Sequence, residues 1–517
     1  MAGKNKKQRD ARTAFAKQGI REAVRGLVDE VRELYCSDHI PWVVGYSGGK
    51  DSTATLQVVW QALAEMGKDR LIKPVHVIST DTLVENPVVA AWVNHSLASI
   101  NSRAQEQGLP IQAHRLTPEI TDSFWVNLIG RGYPSPRHKF RWCTERLKIS
   151  PSNRFIREVV KENGEAILVL GTRKKESSKR AHLMAKYEKQ QVRKRLSPNV
   201  SLSNSLVFSP IEEWTNDDVW EFLMLFENPW GIDNHDLLTM YQGASPDGEC
   251  PLVFDTSTPS CGSSRFGCWV CTLVDEDKSM RAMIQNDEEK EWMLPLLQLR
   301  NELGQKDDRH LRDFRRMSGA VQLFHDKPIP GPYRQEVRET WLRRVLEAQT
   351  WVRENGPANV RDLELVSMAE LHEIRRIWLL DKHEMEDSLP GIYKEATGAA
   401  FPLRKLDDNQ PFGADEMAIL RELCGRDQLH FEMIRDLLWV EQRHRTMARR
   451  SGLYEALQSA MVRSFYDGEE DATERAQERA GCKTTAASVM DAEPENLEQL
   501  LDDLLLDVGG VRAGDAG

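Results

Sequence analysis

The stretch Ile40-Pro41-Trp42-Val43-Val44-Gly45-Tyr46-Ser47-Gly48-Gly49-Lys50-Asp51-Ser52 decides how the chain reads. A short apolar run leads into glycines, and residues 51–66 then continue with helical periodicity. This is the pattern of a buried strand, a tight turn and a helix in a parallel α/β unit. Such a turn aims backbone N–H groups at an anion held at the helix N-terminus. Gly48 and Gly49 let the main chain approach phosphate oxygens, Lys50 adds a point charge, and Ser47 and Ser52 add hydroxyl donors. The Walker loop needs G-x-x-x-x-G-K-[ST], but Val44 stands at its first glycine position and Asp51 follows the lysine. A kinase-like or motor-like γ-phosphate site is therefore not expected.

Outward from this turn, strands are predicted over 72–79, 111–116, 166–170 and 206–208, and helices over 87–107 and 154–162. The alternation predicts an α/β fold, a parallel sheet with helices on both faces. In such sheets ligands bind beyond the carboxyl ends of the strands. Ser79 and Asp81 end the second strand, and Gly171 and Arg173 end the fourth, so they are expected to frame a nucleotide with Arg173 on its phosphates.

At 517 residues the chain has room for roughly two to four domains. We divide it into an N-terminal helical segment (1–40), a nucleotide domain (41–228), a Cys-rich segment (229–280), a helical domain (281–465) and an acidic, partly disordered tail (466–517). No apolar run is long enough to span a membrane, and no apolar stretch follows the basic N-terminus, so a cytoplasmic protein is expected. The net charge of −11 does not suggest nucleic acid, but its distribution is uneven. Residues 131–200 carry 19 basic against 6 acidic side chains, and residues 467–517 carry 14 acidic against 4 basic. The basic stretch is a candidate DNA contact, with a solvated face as the plain alternative.

Eight cysteines without a secretion signal point to thiol chemistry or metal binding. Cys250, Cys261, Cys268 and Cys271 follow the spacing C-x10-C-x6-C-x2-C, and four thiolates hold either tetrahedral zinc or an iron–sulfur cluster. The spacing leaves both open. Cys143 stands apart among Arg141, Arg146 and Lys148, whose charges would favour a reactive thiolate. A buried, inert thiol beside Trp142 is the other reading. Cys36, Cys424 and Cys482 have no such neighbours and read as structural.

Ser47 to Ser52 resembles the PP-loop of the ATP pyrophosphatase superfamily, whose members cleave ATP between the α- and β-phosphates. Together with Arg141-Trp142-Cys143-Thr144, Gly171-Thr172-Arg173-x-x-Glu176-Ser177 and Pro210-Ile211-x-x-Trp214-x-x-x-Asp218-Val219-Trp220, it resembles the phosphoadenosine-phosphosulfate reductase family over roughly residues 35–280. The cysteine quartet and long helical C-terminus bring the resemblance closer to the sulfurtransferase-like members of bacterial DNA phosphorothioation. That resemblance implies an adenine nucleotide α-hydrolase-like fold, ATP with Mg²⁺ at the loop, and a [4Fe–4S] cluster on Cys250, Cys261, Cys268 and Cys271. It also implies DNA as substrate, a cysteine desulfurase as sulfur donor and the other proteins of the modification complex as partners. Lys50 and Asp51 would then serve adenylation of a DNA phosphate, and Cys143 would carry sulfur as a persulfide. An activated-sulfate reductase, a tRNA thiolation enzyme and a zinc-stabilised DNA-binding scaffold are the alternatives.

Overall fold

A computed structural model describes residues 13–490 apart from 139, 177, 189–192, 194, 200–201, 246–265, 326, 404–411, 446 and 448. Cys250, Cys261 and the acidic segment beyond 490 lie outside the described residues. After helix α1 (Ile20–Cys36) the chain runs β1 (Trp42–Gly45), α2 (Lys50–Ala64), β2 (Val75–Thr80), α3 (Pro87–Gln107) and β3 (Ile111–Leu116). It continues through α4 (Ser150–Asn163), β4 (Ala166–Val169), α5 (Ser178–Glu188), β5 (Ser197–Pro198), β6 (Ser205–Phe208), α6 (Asn216–Leu225) and α7 (Asn234–Gly243).

The sheet has the order β3-β2-β1-β4-β6-β5, parallel except for β5 at the edge. Central β1 pairs with β2 in the register Trp42↔Val75 and with β4 in the register Trp42↔Ile167. Trp42, Val43 and Val44 are all fully buried, because helices cover both faces: Trp42 and Val44 join the core under α1, α2 and α6, and Val43 joins the smaller core under α4. The chain leaves β1 and β4 towards opposite neighbours, so their carboxyl ends open a crevice. The phosphate loop and residues 170–176 follow these two strands.

Past the sheet the chain is mainly helical: α8 (Lys278–Asn286), α9 (Leu294–Leu303), α10 (Gln335–Asn355), α11 (Met368–Arg376), α12 (Leu389–Thr397), α13 (Ala414–Cys424), α14 (Gln428–Arg445), α15 (Leu453–Ser464) and α16 (Glu469–Met490). No described helix is long and apolar enough to cross a membrane.

Three features differ from the sequence reading. The segment divided off as Cys-rich, 229–280, contains α7, started by Asp233, whose carboxylate receives the His235 N–H at 2.8 Å, and buried along Leu237 and Tyr241. The start of the tail, 469–490, is helical. Most consequential, the connection from β3 to α4 does not pack on the sheet. Phe124, Trp125, Leu128, Ile129, Trp142 and Leu147 join Trp269, Val270 and residues of α8–α12 in a second core. Trp125 donates to the Leu365 carbonyl at 2.6 Å, and Trp378 donates to that of Ile129 at 3.0 Å. The helical unit is thus built from two separate stretches, and the boundary drawn at 280 does not describe it.

Candidate nucleotide and cysteine site

The phosphate loop is closed by its own serine. The Ser52 hydroxyl accepts the Ser47 N–H at 3.2 Å and donates to the Gly49 carbonyl at 2.9 Å, and it lies 3.1 Å from the Ser47 hydroxyl. Gly48 has φ +71°, and a Cβ there would lie 2.5 Å from Val93 Cγ2, so only glycine serves. The Trp92 indole holds its carbonyl at 3.0 Å. Lys50 begins α2, with Nζ 3.5 Å from Asp51; burial lowers its pKa first, against the opposing pull of Asp51. A lysine so desolvated gains from an arriving phosphate.

The residues expected around the loop divide. Asp51 receives the Arg173 Nε–H at 2.7 Å, and Arg173 is 3% exposed with a second bond to the Trp214 carbonyl at 3.3 Å. Arg173 therefore anchors the loop through Asp51. Gly171 is a close-approach position: a Cβ would lie 2.7 Å from the Asp51 carbonyl. Ser79 is buried at the end of β2. Asp81 accepts Arg115 Nε–H at 2.9 Å and the Leu83 N–H at 2.8 Å, which fastens the turn after β2.

That turn meets the cysteines. Glu85 and Cys268 form an antiparallel bridge, the Asn86 N–H reaches the Gly267 carbonyl at 3.2 Å, and the Trp269 N–H reaches that of Val84 at 2.9 Å. The Cys271 N–H donates to the Cys268 carbonyl at 3.0 Å, closing the C-x2-C turn. The Cys268 thiol lies 3.3 Å from the Thr82 hydroxyl and 3.7 Å from Glu85, and burial pushes it up to about 12. Lys148 sits 3.3 Å from Glu85, and the charges of Cys268 and Glu85 raise its pKa against burial. From the helical unit, buried Arg300 grips the far side of the turn: it donates to the carbonyls of Cys271 (3.0 Å), Asp275 (2.9 Å) and Val274.

Cys143 is not separate in space. It is within electrostatic reach of Cys271, and burial raises its thiol pKa. Two of the three charges expected to activate it pair elsewhere: Arg146 with Asp122 and Tyr133, Lys148 with Glu85. Cys143, Cys268 and Cys271 are free thiols. No three described His, Cys, Asp or Glu side chains are close enough to share one ion, but a four-iron cluster spreads its thiolates wider than a single ion does. Buried thiols with a lysine beside them fit such a group. Cys36 accepts from Arg70 at 3.3 Å, Cys424 ends α13, and Cys482 lies in α16.

Tyr241 went unnoticed in the sequence. Its hydroxyl is 3.5 Å from the Lys50 N–H, and its ring meets Phe266 edge-on at 4.6 Å, two residues before Cys268. It joins the nucleotide loop to the cysteine turn. The readable signal was Asp233 as a cap, followed by Leu237 and Tyr241 four residues apart.

Five side chains of the basic stretch pair with acids from outside it: Arg137 with Asp308, Arg154 with Glu119, Lys174 with Glu213, Arg193 with Asp38, and Arg195 with Glu30 and Glu212.

A strand–loop–helix phosphate site in the crevice of a doubly wound sheet defines a nucleotide-binding α/β protein. Within that class, residues 41–273 match the phosphoadenosine phosphosulfate reductase domain family. An uncharacterized protein of Methanocaldococcus jannaschii is 27% identical over 206 residues, 40% of this chain and 36% of its own. The chain thus spans about a third of the length of that curated relative. Two solved structures are also similar. The phosphate complex of phosphoadenylyl-sulfate reductase from Candida auris is 14% identical, covering 41% of this chain and 87% of the other, with TM-score 0.26. The U34-tRNA thiolase NcsA from Methanococcus maripaludis with its [4Fe-4S] cluster is 13% identical, covering 55% and 80%, with TM-score 0.24. At such scores neither likeness informs the fold or the chemistry.

Proposed function

We propose that the chain is an ATP pyrophosphatase and sulfurtransferase with a DndC-like role in DNA phosphorothioation, acting with a cysteine desulfurase, DndD and DndE. The observation that carries this reading is the junction at Tyr241, which touches the phosphate loop with its hydroxyl and the cysteine turn through Phe266. Nucleotide activation and thiol chemistry would then share one site.

In this reading the loop N–H groups, Lys50 and the Ser47 and Ser52 hydroxyls hold the phosphates of ATP, with Mg²⁺ offsetting their charge. A non-bridging DNA oxygen attacks the α-phosphorus and pyrophosphate leaves. A persulfide sulfur, delivered by the desulfurase to a thiol of this centre, then attacks the DNA phosphorus, and AMP leaves with the oxygen. Cleavage of the remaining S–S bond takes two electrons from a reductant. A [4Fe–4S] group held by Cys250, Cys261, Cys268 and Cys271, with Cys143 within electrostatic reach of Cys271, would supply sulfur- or electron-handling capacity. Arg300 fixes the backbone of that turn from behind.

Two measurements test the proposal. Purified protein should convert ATP to AMP and pyrophosphate; ADP and phosphate alone would overturn the loop assignment. Mass spectrometry of digested host DNA should find sulfur-containing dinucleotides with the gene and none without it. Thiolated tRNA bases with unmodified DNA would favour the thiolation reading instead.

A further inference from the structure

A cavity of about 540 Å³ opens between the 313–319 loop, the start of α10 and α14, in the helical unit and away from the loop and cysteines. Its wall carries eight Lys and Arg side chains against five Asp and Glu. Four of those acids are already engaged. Arg315 holds Asp313 at 2.7 Å and Glu432 at 2.5 Å, Arg338 holds Glu384 at 3.2 Å, and Arg376 holds Asp381 at 3.1 Å. The wall keeps an excess of positive charge.

Two of its cations are conspicuous. The Lys382 ammonium has no hydrogen bond or ion pair among the described residues, and burial, then Arg338, push it down to about 8, against Glu384 and Asp313. Arg435 is 6% exposed and bonds Gln335 at 3.0 Å and Glu386 at 3.4 Å, yet its Nε–H has no partner. A buried donor left unmade costs about 1–3 kcal/mol. An anion with several acceptor oxygens would satisfy both groups at once. Arg316 and Arg334 are exposed at the rim, and guanidinium forks match phosphate geometry.

We propose that this cavity is a second anion site that takes a phosphate-bearing ligand, with Lys382 and Arg435 inside and Arg316 and Arg334 at its mouth. It stands independently of the ATP reading. The phosphate could belong to a small molecule or to a nucleic-acid backbone, and the arms of the test separate the two.

Pyrophosphate binding to the full chain is measured by calorimetry for wild type, Lys50→Ala, Lys382→Met and Arg334→Gln. Wild type should show two classes of site. Lys50→Ala should remove one, and Lys382→Met should remove the other or weaken it by about tenfold, as loss of one charge-assisted bond predicts. Arg334→Gln should weaken the same class by a few-fold; Arg334 is exposed, so this variant remains informative if Lys382→Met does not fold. In the second arm, binding of a fluorescent DNA duplex is titrated against salt. Weaker duplex binding in both cavity variants identifies a backbone phosphate, and loss of pyrophosphate alone identifies a small ligand. If both cavity variants match wild type in pyrophosphate and duplex binding, the proposal is overturned.

Discussion

The phosphate loop and the cysteine turn are built by opposite means. The loop is local: a serine five residues on closes it, and the neighbouring strand end presses against it with no side chain at Gly171. The turn is assembled from afar, resting on Glu85 from the turn after β2, Arg300 from the helices and a core that includes Trp125 and Trp142 from the β3–α4 connection. A local device tolerates changes elsewhere. A device held from three directions responds to all of them, so the two should fail differently under mutation.

The largest separation is expected from Lys50→Ala. It should slow pyrophosphate release by about 100-fold or more, since a preorganised charge is lost at the transition state, while bound iron and melting temperature stay near wild type. Normal release would break the comparison at its first term. Arg300→Leu should do the reverse: buried carbonyls lose a charged donor, at about 2–4 kcal/mol, and bound iron falls while ATP binding persists. Denaturant unfolding with iron analysis checks this. Cys143→Ser sharpens the question of where that thiol belongs. Its position near Cys271 predicts that iron and sulfur transfer to DNA fall together, as in Cys268→Ser; full iron content with transfer lost would restore the free carrier. Tyr241→Phe should be milder, changing the KM for ATP a few-fold with iron unaffected, because the ring contact to Phe266 remains.

The smallest effect concerns pH. His76 and His114 lie 3.2 Å apart on β2 and β3, and burial lowers both pKa values, with His114 further lowering His76. Their neutral forms favour the fold, so this stability is present above the unfolded value near 6.5 and is lost as pH falls below it. His114→Gln should flatten the stability profile between about pH 7 and about pH 5. An unchanged slope would show that the pair does not contribute.

The strands around β1, the loop and the C-x2-C turn were legible because each is a local pattern of apolar runs, glycines or paired thiols. Helix α3 is bounded by its own signals, Asn86 with Pro87 at the start and Gly108 at the end. What the sequence hid depends on distance. Arg173 stands 122 residues along the chain from the Asp51 it pairs with, and acids at 30, 38, 119, 212, 213 and 308 reach five side chains of the basic stretch from outside it. Tyr241 was hidden because its signal, the Asp233 cap with Leu237 and Tyr241 behind it, is one short helix.

The shared second core also sets an order of events at the ribosome. Phe124, Trp125 and Trp142 leave the exit tunnel long before Trp341, Leu342 and Trp378, against which their core is completed. At roughly 5–20 residues per second, that leaves a large aromatic surface uncovered for on the order of ten seconds or more. A nascent chain arrested near residue 280 should therefore recruit holdase chaperones through this segment, whereas one arrested beyond 400 should release them.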